Sequence, residues 1–300
     1  MMRRVRYLLV SLALAHAKRL AIPYRGCTLR MCAPAESTDN NVDKWFIEPP
    51  GTFEAMSSQC SRSVLNAMRQ RRRVVVESAA PELDPASPNF KQQELVAFAH
   101  DVAQPLLERA GLSKSQPHVK LLFSNSKDAT LAGASIFTTS LPVSMLGHPS
   151  AVGPRDGAFV VVAPSPSKDI DTERALADLL EQSGQRLVVL INPRMGNSPL
   201  LNTFESAYLM RPLSVGFMRD QMAKQVERVP ACLLRCYPHE WTVVVAQPGD
   251  ARASRVDARW RYAGRFARPP RPEEIEKLLA QEIQRARDEA IRASGPGPGK

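Results

Sequence analysis

Two short runs constrain the fold of this chain most: GAFVVVA, Gly157 to Ala163, and RLVVLI, Arg186 to Ile191. Both are apolar almost throughout and rich in β-branched residues, the pattern of strands covered on both faces. The segment between them, Asp171 to Gln182, reads as a helix. Two strands joined through a helix lie parallel in one sheet. The unit therefore predicts an α/β fold that is layered, with a mostly parallel sheet flanked by helices. At 300 residues and 44% apolar content the chain can bury a substantial core.

The remaining segments fit that plan. Phe53, Met56, Cys60, Val64 and Ala67/Met68 recur at steps of three and four, giving a helix with Cys60 on its buried stripe. RRRVVVES and HVKLLF (His118 to Phe123) read as strands. Between them, Asn89 is the expected N-cap of a helix with Leu95, Phe98, Val102 and Leu106 on one face. Pro105 should kink or split that helix, and Gly111 should stop it. Residues 125–156, rich in Ser, Thr, Gly and Pro, read as one long loop, functional or mobile. Two helical pieces are expected after Asn192-Pro193: one with Leu200, Leu201, Phe204 and Tyr208 on a face, another around Met218 to Val226. A strand near Trp260 to Arg265 and a long helix from Pro272, with Ile275, Leu278, Leu279 and Ile283 inward, complete the chain. The predicted organisation is a targeting leader over 1–35, a linker over 36–50, one α/β domain over 51–270, an amphipathic helix over 271–293 and a disordered tail over 294–300.

The net charge of +10 suggests nucleic acid, but seven basic and no acidic residues fall within residues 1–35. The remainder carries 33 basic against 30 acidic groups, so the charge argument for nucleic acid fails. Arg3, Arg4 and Arg6 precede YLLVSLALA, and Ala15-His16-Ala17 has a small-x-small pattern, as in a secretory signal. The apolar run is about half the ~20 residues of a membrane span. A basic, hydroxylated segment follows with no acid before Glu36, the composition of a transit peptide. Either a bipartite plastid leader or a secreted protein with a basic start fits. Beyond this segment only Cys60, Cys232 and Cys236 remain, too few for a disulfide framework and suited to a reducing compartment.

CLLRCYPHEW, Cys232 to Trp241, brings two cysteines, a histidine and a glutamate together. On a strand, the cysteines would lie roughly 13 Å apart at ~3.3 Å per residue. Two thiolates on one zinc can be no more than roughly 4.6 Å apart, and a disulfide requires Cα atoms within ~7 Å. A metal site needs a loop here. The β-prone runs Ala231 to Cys236 and Trp241 to Ala246, split by Tyr237 to Glu240, point instead to a hairpin near the C-terminal edge, with His239 at an exposed turn.

Few patterns carry chemistry. GxxxxGK[ST] and GxGxxG are absent, and Asp169, Asp171 and Glu173 would repel a phosphate from the helix after GAFVVVA. Ser165 and Ser167 lack a nucleophile elbow and a histidine partner. LINPRMGNS leaves a buried strand at its carboxyl end, where open α/β sheets bind ligands. Asn192 and Arg194 are thus candidates for a nucleotide, a metabolite or a partner; the alternative is a turn that ends the strand. Arg211 and Arg235 flank apolar runs and would either pair carboxylates or bind an anion. Arg69, Arg71, Arg72 and Arg73 form a basic cluster, either a solvated start to a strand or a docking patch for an anionic membrane or partner. No pattern implies a cofactor, a metal or a catalytic constellation.

In order, FEAMSSQCSRSVLNAMRQRRRVVVESAAP, GAFVVVAPSPS, LVVLINPRM, FESAYLMRPL and CLLRCYPHEWTVVV resemble an uncharacterised domain family of plants, algae and cyanobacteria that includes the low photosystem II accumulation proteins. The resemblance spans roughly residues 51–247 and weakens toward about 290. It implies a plastid protein, in the stroma or at the thylakoid surface, assisting photosystem II assembly by binding a core subunit or assembly factor; the leader, a signal followed by a transit-like segment, adds the expectation of a secondary-plastid alga. The resemblance supplies no catalytic residues. Some plant members are fused to an adenylate kinase, an activity this chain has no Walker motif to carry.

Overall fold

The structure is a computed structural model that describes residues 47–109, 118–135, 141–220, 225–246 and 260–293. The leader, Gly111 and the tail lie outside them. Among the described residues, nine strands form one sheet in the order β3-β2-β4-β5-β1-β6-β7-β8-β9. β4 (Asp156–Val162) and β5 (Leu187–Ile191) occupy its interior and pair in parallel, with every residue of both buried. β1 (Arg73–Ser78), β2 (His118–Phe123), β3 (Val143–Met145) and β6 (Glu205–Asp220) extend the parallel region. From β6 onward the sheet becomes an antiparallel meander through β7 (Gln225–Cys236), β8 (Trp241–Ala246) and β9 (Trp260–Phe266).

Helices cover both faces. α1 (Phe53–Ala67) starts where Thr52 Oγ1 accepts from the Ala55 N–H at 3.1 Å. With α2 (Gln92–Arg109) it buries Cys60, Val64, Phe98 and Val102 against one face. α4 (Thr172–Ser183), capped by Asp171, covers the other through Leu176 and Leu179. α5 (Pro272–Ala293) lies over the meander on the same side as α4, its Ile275 and Leu279 packed on Leu209, Leu233 and Val243. Among the described residues no helix is long and apolar enough to cross a membrane.

Three expectations need correction. α2 begins at Gln92, not after Asn89. Residues 84–90 are held in turns by Asp84 Oδ1, which accepts from Ala86 N, and Ser87 Oγ, which accepts from Asn89 N. Of the two outcomes expected at Pro105, the split does not occur: the helix continues through it to Arg109. Residues 125–156 are not one loop: they contain α3 (Ser126–Gly133), capped by Asn125, and the edge strand β3, with 136–140 outside the described residues. The expected helices after Pro193 reduce to a 3₁₀ turn, Pro199–Thr203, followed by strand.

The reason for that last difference is tertiary. Leu200 and Leu201 pack under α4, whereas Tyr208 enters the core on the opposite face of the sheet. Their shared spacing was not one helical face. β6 takes the open side of β1 from Glu205 to Met210 and then continues with β7 to Asp220 and Gln225. Pro212 is tolerated because pairing with β1 has ended, so its missing N–H leaves no unmet partner there. Residues 218–220 and 225–226 of the second expected helix are strand, and 221–224 lie outside the described residues.

Candidate functional site

Asn192 follows β5 at the carboxyl end of the parallel region. Its φ of 45° is left-handed, a conformation Asn tolerates better than most residues. The adjoining strand end carries a second such residue, Ala163 at φ 42°, and Ala163 N donates to Ile191 O. Turned back in this way, Asn192 Oδ1 accepts from Ser78 N at 2.7 Å and its Nδ2 donates to Leu83 O at 3.5 Å. Its own N–H bonds Val76 O. Asn192 therefore clamps the end of β1 and the 3₁₀ turn Pro81–Leu83 to the end of β5.

Arg194 and Arg211 sit at the same end of the sheet, each beside a carboxylate. Arg194 Nη2 is 2.7 Å from Asp84 Oδ1, and Arg211 Nη2 is 3.9 Å from Glu77 Oε1. All four side chains are a third to a half exposed, so each pair contributes at most ~1 kcal/mol. Chemically, the carboxyl end is a partly exposed patch of alternating charge whose central amide is already bonded to backbone. A phosphate there would have to displace two carboxylates. Glu77 and Asp84 belong to this patch although neither stands out in the sequence: their pairing exists only across the sheet.

Arg235 lies apart from these three. Its side chain reaches toward the amino end of β6, where Nε donates to Ser206 O and Nη2 lies 3.4 Å from Glu205 Oε1. Nη1 donates to His239 O, and the guanidinium sits 5.5 Å from the Tyr237 ring and 5.9 Å from the Trp241 ring. Arg235 thus fastens the 237–240 turn, which contains a cis Tyr237-Pro238 bond. His239 is half-buried, not exposed.

Cys232 and Cys236 both lie on β7, as the hairpin requires. Cys60, Cys232 and Cys236 are buried free thiols. Burial pushes the Cys60 thiol well above its ordinary value and Cys236 up to about 11, so neither is a thiolate near neutrality. Among the described residues no group of three or more His, Cys, Asp or Glu could hold a metal.

No curated protein and no solved structure matches the chain. A family model does: that of a domain of unknown function, DUF1995, over residues 50–277, which takes in every described strand and the start of α5. The match covers well over half of the sequence, and the chain belongs to the DUF1995 family.

Proposed function

We propose that the protein is a non-catalytic plastid factor that assists photosystem II assembly or accumulation by binding a core subunit or assembly factor at the thylakoid surface. The observation that carries this is the ordered set of segments, from FEAMSSQCSRSVLNAMRQRRRVVVES to CLLRCYPHEWTVVV, that resemble the low photosystem II accumulation proteins. Membership of DUF1995 supports the resemblance at the level of the domain. The carboxyl end supports it chemically. Asn192 is committed to the backbone and Arg194 and Arg211 face carboxylates, an arrangement better suited to a protein surface than to a nucleotide. The chemistry of the leader, basic and hydroxylated before Glu36, is consistent with plastid import.

The test is affinity purification of the tagged full-length chain from detergent-solubilised plastid membranes, with mass spectrometry of what co-elutes. Recovery of photosystem II core subunits in assembly intermediates, without the mature supercomplex, is expected. Recovery of no photosynthetic partner, together with normal photosystem II assembly in cells lacking the protein, would overturn the proposal.

A further inference from the structure

At the amino ends of β5, β1 and β6, three adjacent chain segments line an open groove of about 530 Å³. Gln70, Arg71, Arg72 and Arg73 line it from the α1–β1 connection, Gln185 from the α4–β5 connection and Glu205 from the start of β6. The sheet fixes these segments relative to each other. Val188 N donates to Arg72 O, Arg73 is in register with Val188, and the next residue, Val74, is in register with Glu205.

The lining is unbalanced in charge: it holds three arginines and one glutamate. Glu205 is already shared, 3.8 Å from Arg71 Nε and 3.4 Å from Arg235 Nη2. Among the described residues neither Arg72 nor Arg73 has an ion-pair partner. This local excess stands out in residues 36–300, whose charges nearly cancel. Gln70 adds a donor, because its Oε1 is taken by Tyr237 Oη at 2.8 Å and its amide nitrogen remains. Packed like charges raise the free energy of the unbound protein, and a bound anion relieves it.

We propose that this groove binds a carboxylate-rich segment of a partner protein. It is open and polar, whereas small-molecule sites enclose most of their ligand in largely apolar walls. Guanidinium forks match carboxylates in bidentate geometry, and successive arginines suit successive acidic side chains. A flat anionic bilayer would reach the exposed Arg72 but not the half-buried Arg73. The proposal deepens the protein-binding function above and rests on it only for the partner being a protein.

The experiment is fluorescence anisotropy of a labelled oligoglutamate peptide with the full chain, alongside its oligoglutamine counterpart. The expected result is salt-sensitive binding of oligoglutamate alone, weakened about tenfold or more in Arg72→Gln/Arg73→Gln. A control pair of exposed arginines elsewhere, Arg174→Gln/Arg292→Gln, should leave it unchanged. The single variant Arg72→Gln, at an exposed position, should fold normally and show a smaller loss. No peptide binding, or equal weakening by the control pair, overturns the proposal. So does competition by inorganic phosphate at concentrations matching the peptide, or tighter binding to phosphatidylglycerol vesicles than to the peptide. Repeating the affinity purification with Arg72→Gln/Arg73→Gln separates the two hypotheses. Photosystem II subunits retained by the variant would reject the groove alone, and subunits missing from the unaltered chain would reject the assembly role alone.

Discussion

Lys120 and Asp156 form the most buried ion pair among the described residues: Nζ to Oδ2 is 2.6 Å, with side-chain exposures of 11% and 3%. The same Oδ2 accepts from Gly153 N at 2.6 Å, and Lys120 also donates to Ser150 O at 2.9 Å. The pair therefore ties β2 and β4 to the loop that leads into β4. A Cβ at Gly153 would lie 3.0 Å from Asp156 Oδ2, so a side chain there would press on the pair. Removing one member leaves an uncompensated buried charge. Lys120→Met should cost about 3–5 kcal/mol, while Lys120→Met/Asp156→Leu should recover much of that loss, because both charges go together. Urea denaturation of the two variants measures the difference, and equal losses would mean that the uncompensated Asp156 charge is not the source of the cost. The sequence does not announce this pair. Lys120 interrupts HVKLLF and Asp156 precedes GAFVVVA, each looking like an ordinary polar residue at a strand, and only the β2–β4 register brings them together. Asn192 was visible as a candidate for the opposite reason, its position after an apolar strand. Its role as a backbone clamp depends on a left-handed φ and on Ser78 and Leu83, which no local pattern reveals.

Among the elements, α5 shows both what periodicity reveals and where it stops. Pro272 at the first helical position and the Ile275/Leu278/Leu279 stripe were legible, because a helix cap and a 3.6-residue repeat are local. What the stripe packs on was not. β9 carries an irregularity opposite Val243 and Val244, next to Gly264, and a Cβ at Gly264 would lie 2.8 and 2.9 Å from the two methyl carbons of Leu278. Gly264 is thus the point of close approach between helix and sheet. Gly264→Ala should destabilise by about 1–3 kcal/mol through overpacking. Gly264→Ala/Leu278→Ala should cost less than the sum of its single variants, since each substitution relieves the other. Additive losses in thermal or urea unfolding would place the conflict elsewhere. The misread elements, the helices expected after Pro193, failed by the same logic. A four-residue spacing from Leu200 to Tyr208 looks helical, but the free side of β1 pairs Glu205 to Met210 and divides those side chains between two faces.

At the scale of the whole molecule, β6 joins a parallel α/β half to an antiparallel meander, and α1 spans the joint. Cys60 on α1 and Cys236 on β7 belong to the same core, although one helix precedes the first strand and the other residue lies in the meander. Burial raises the Cys60 thiol first, and a negative charge on Cys236 adds to it. If the sheet unfolds as one unit, both cysteines become reactive only when the whole molecule opens. A thiol reagent in increasing urea should then label Cys60 and Cys236 with the same denaturant dependence. Labelling of Cys236 before Cys60 would show that the meander opens first. The pH dependence has a definite sign. Folding holds both thiols above their unfolded values, so the stability gained from keeping them neutral is complete below the unfolded value near ~8.5. It is lost as pH rises toward the folded value, about 11 for Cys236. The urea midpoint should fall over that interval, and Cys60→Ala/Cys236→Ala, less stable at neutral pH because of the cavities left behind, should flatten the fall. A midpoint with the same alkaline slope in both proteins would assign the pH dependence to other groups and remove the thiols as the link between the two halves.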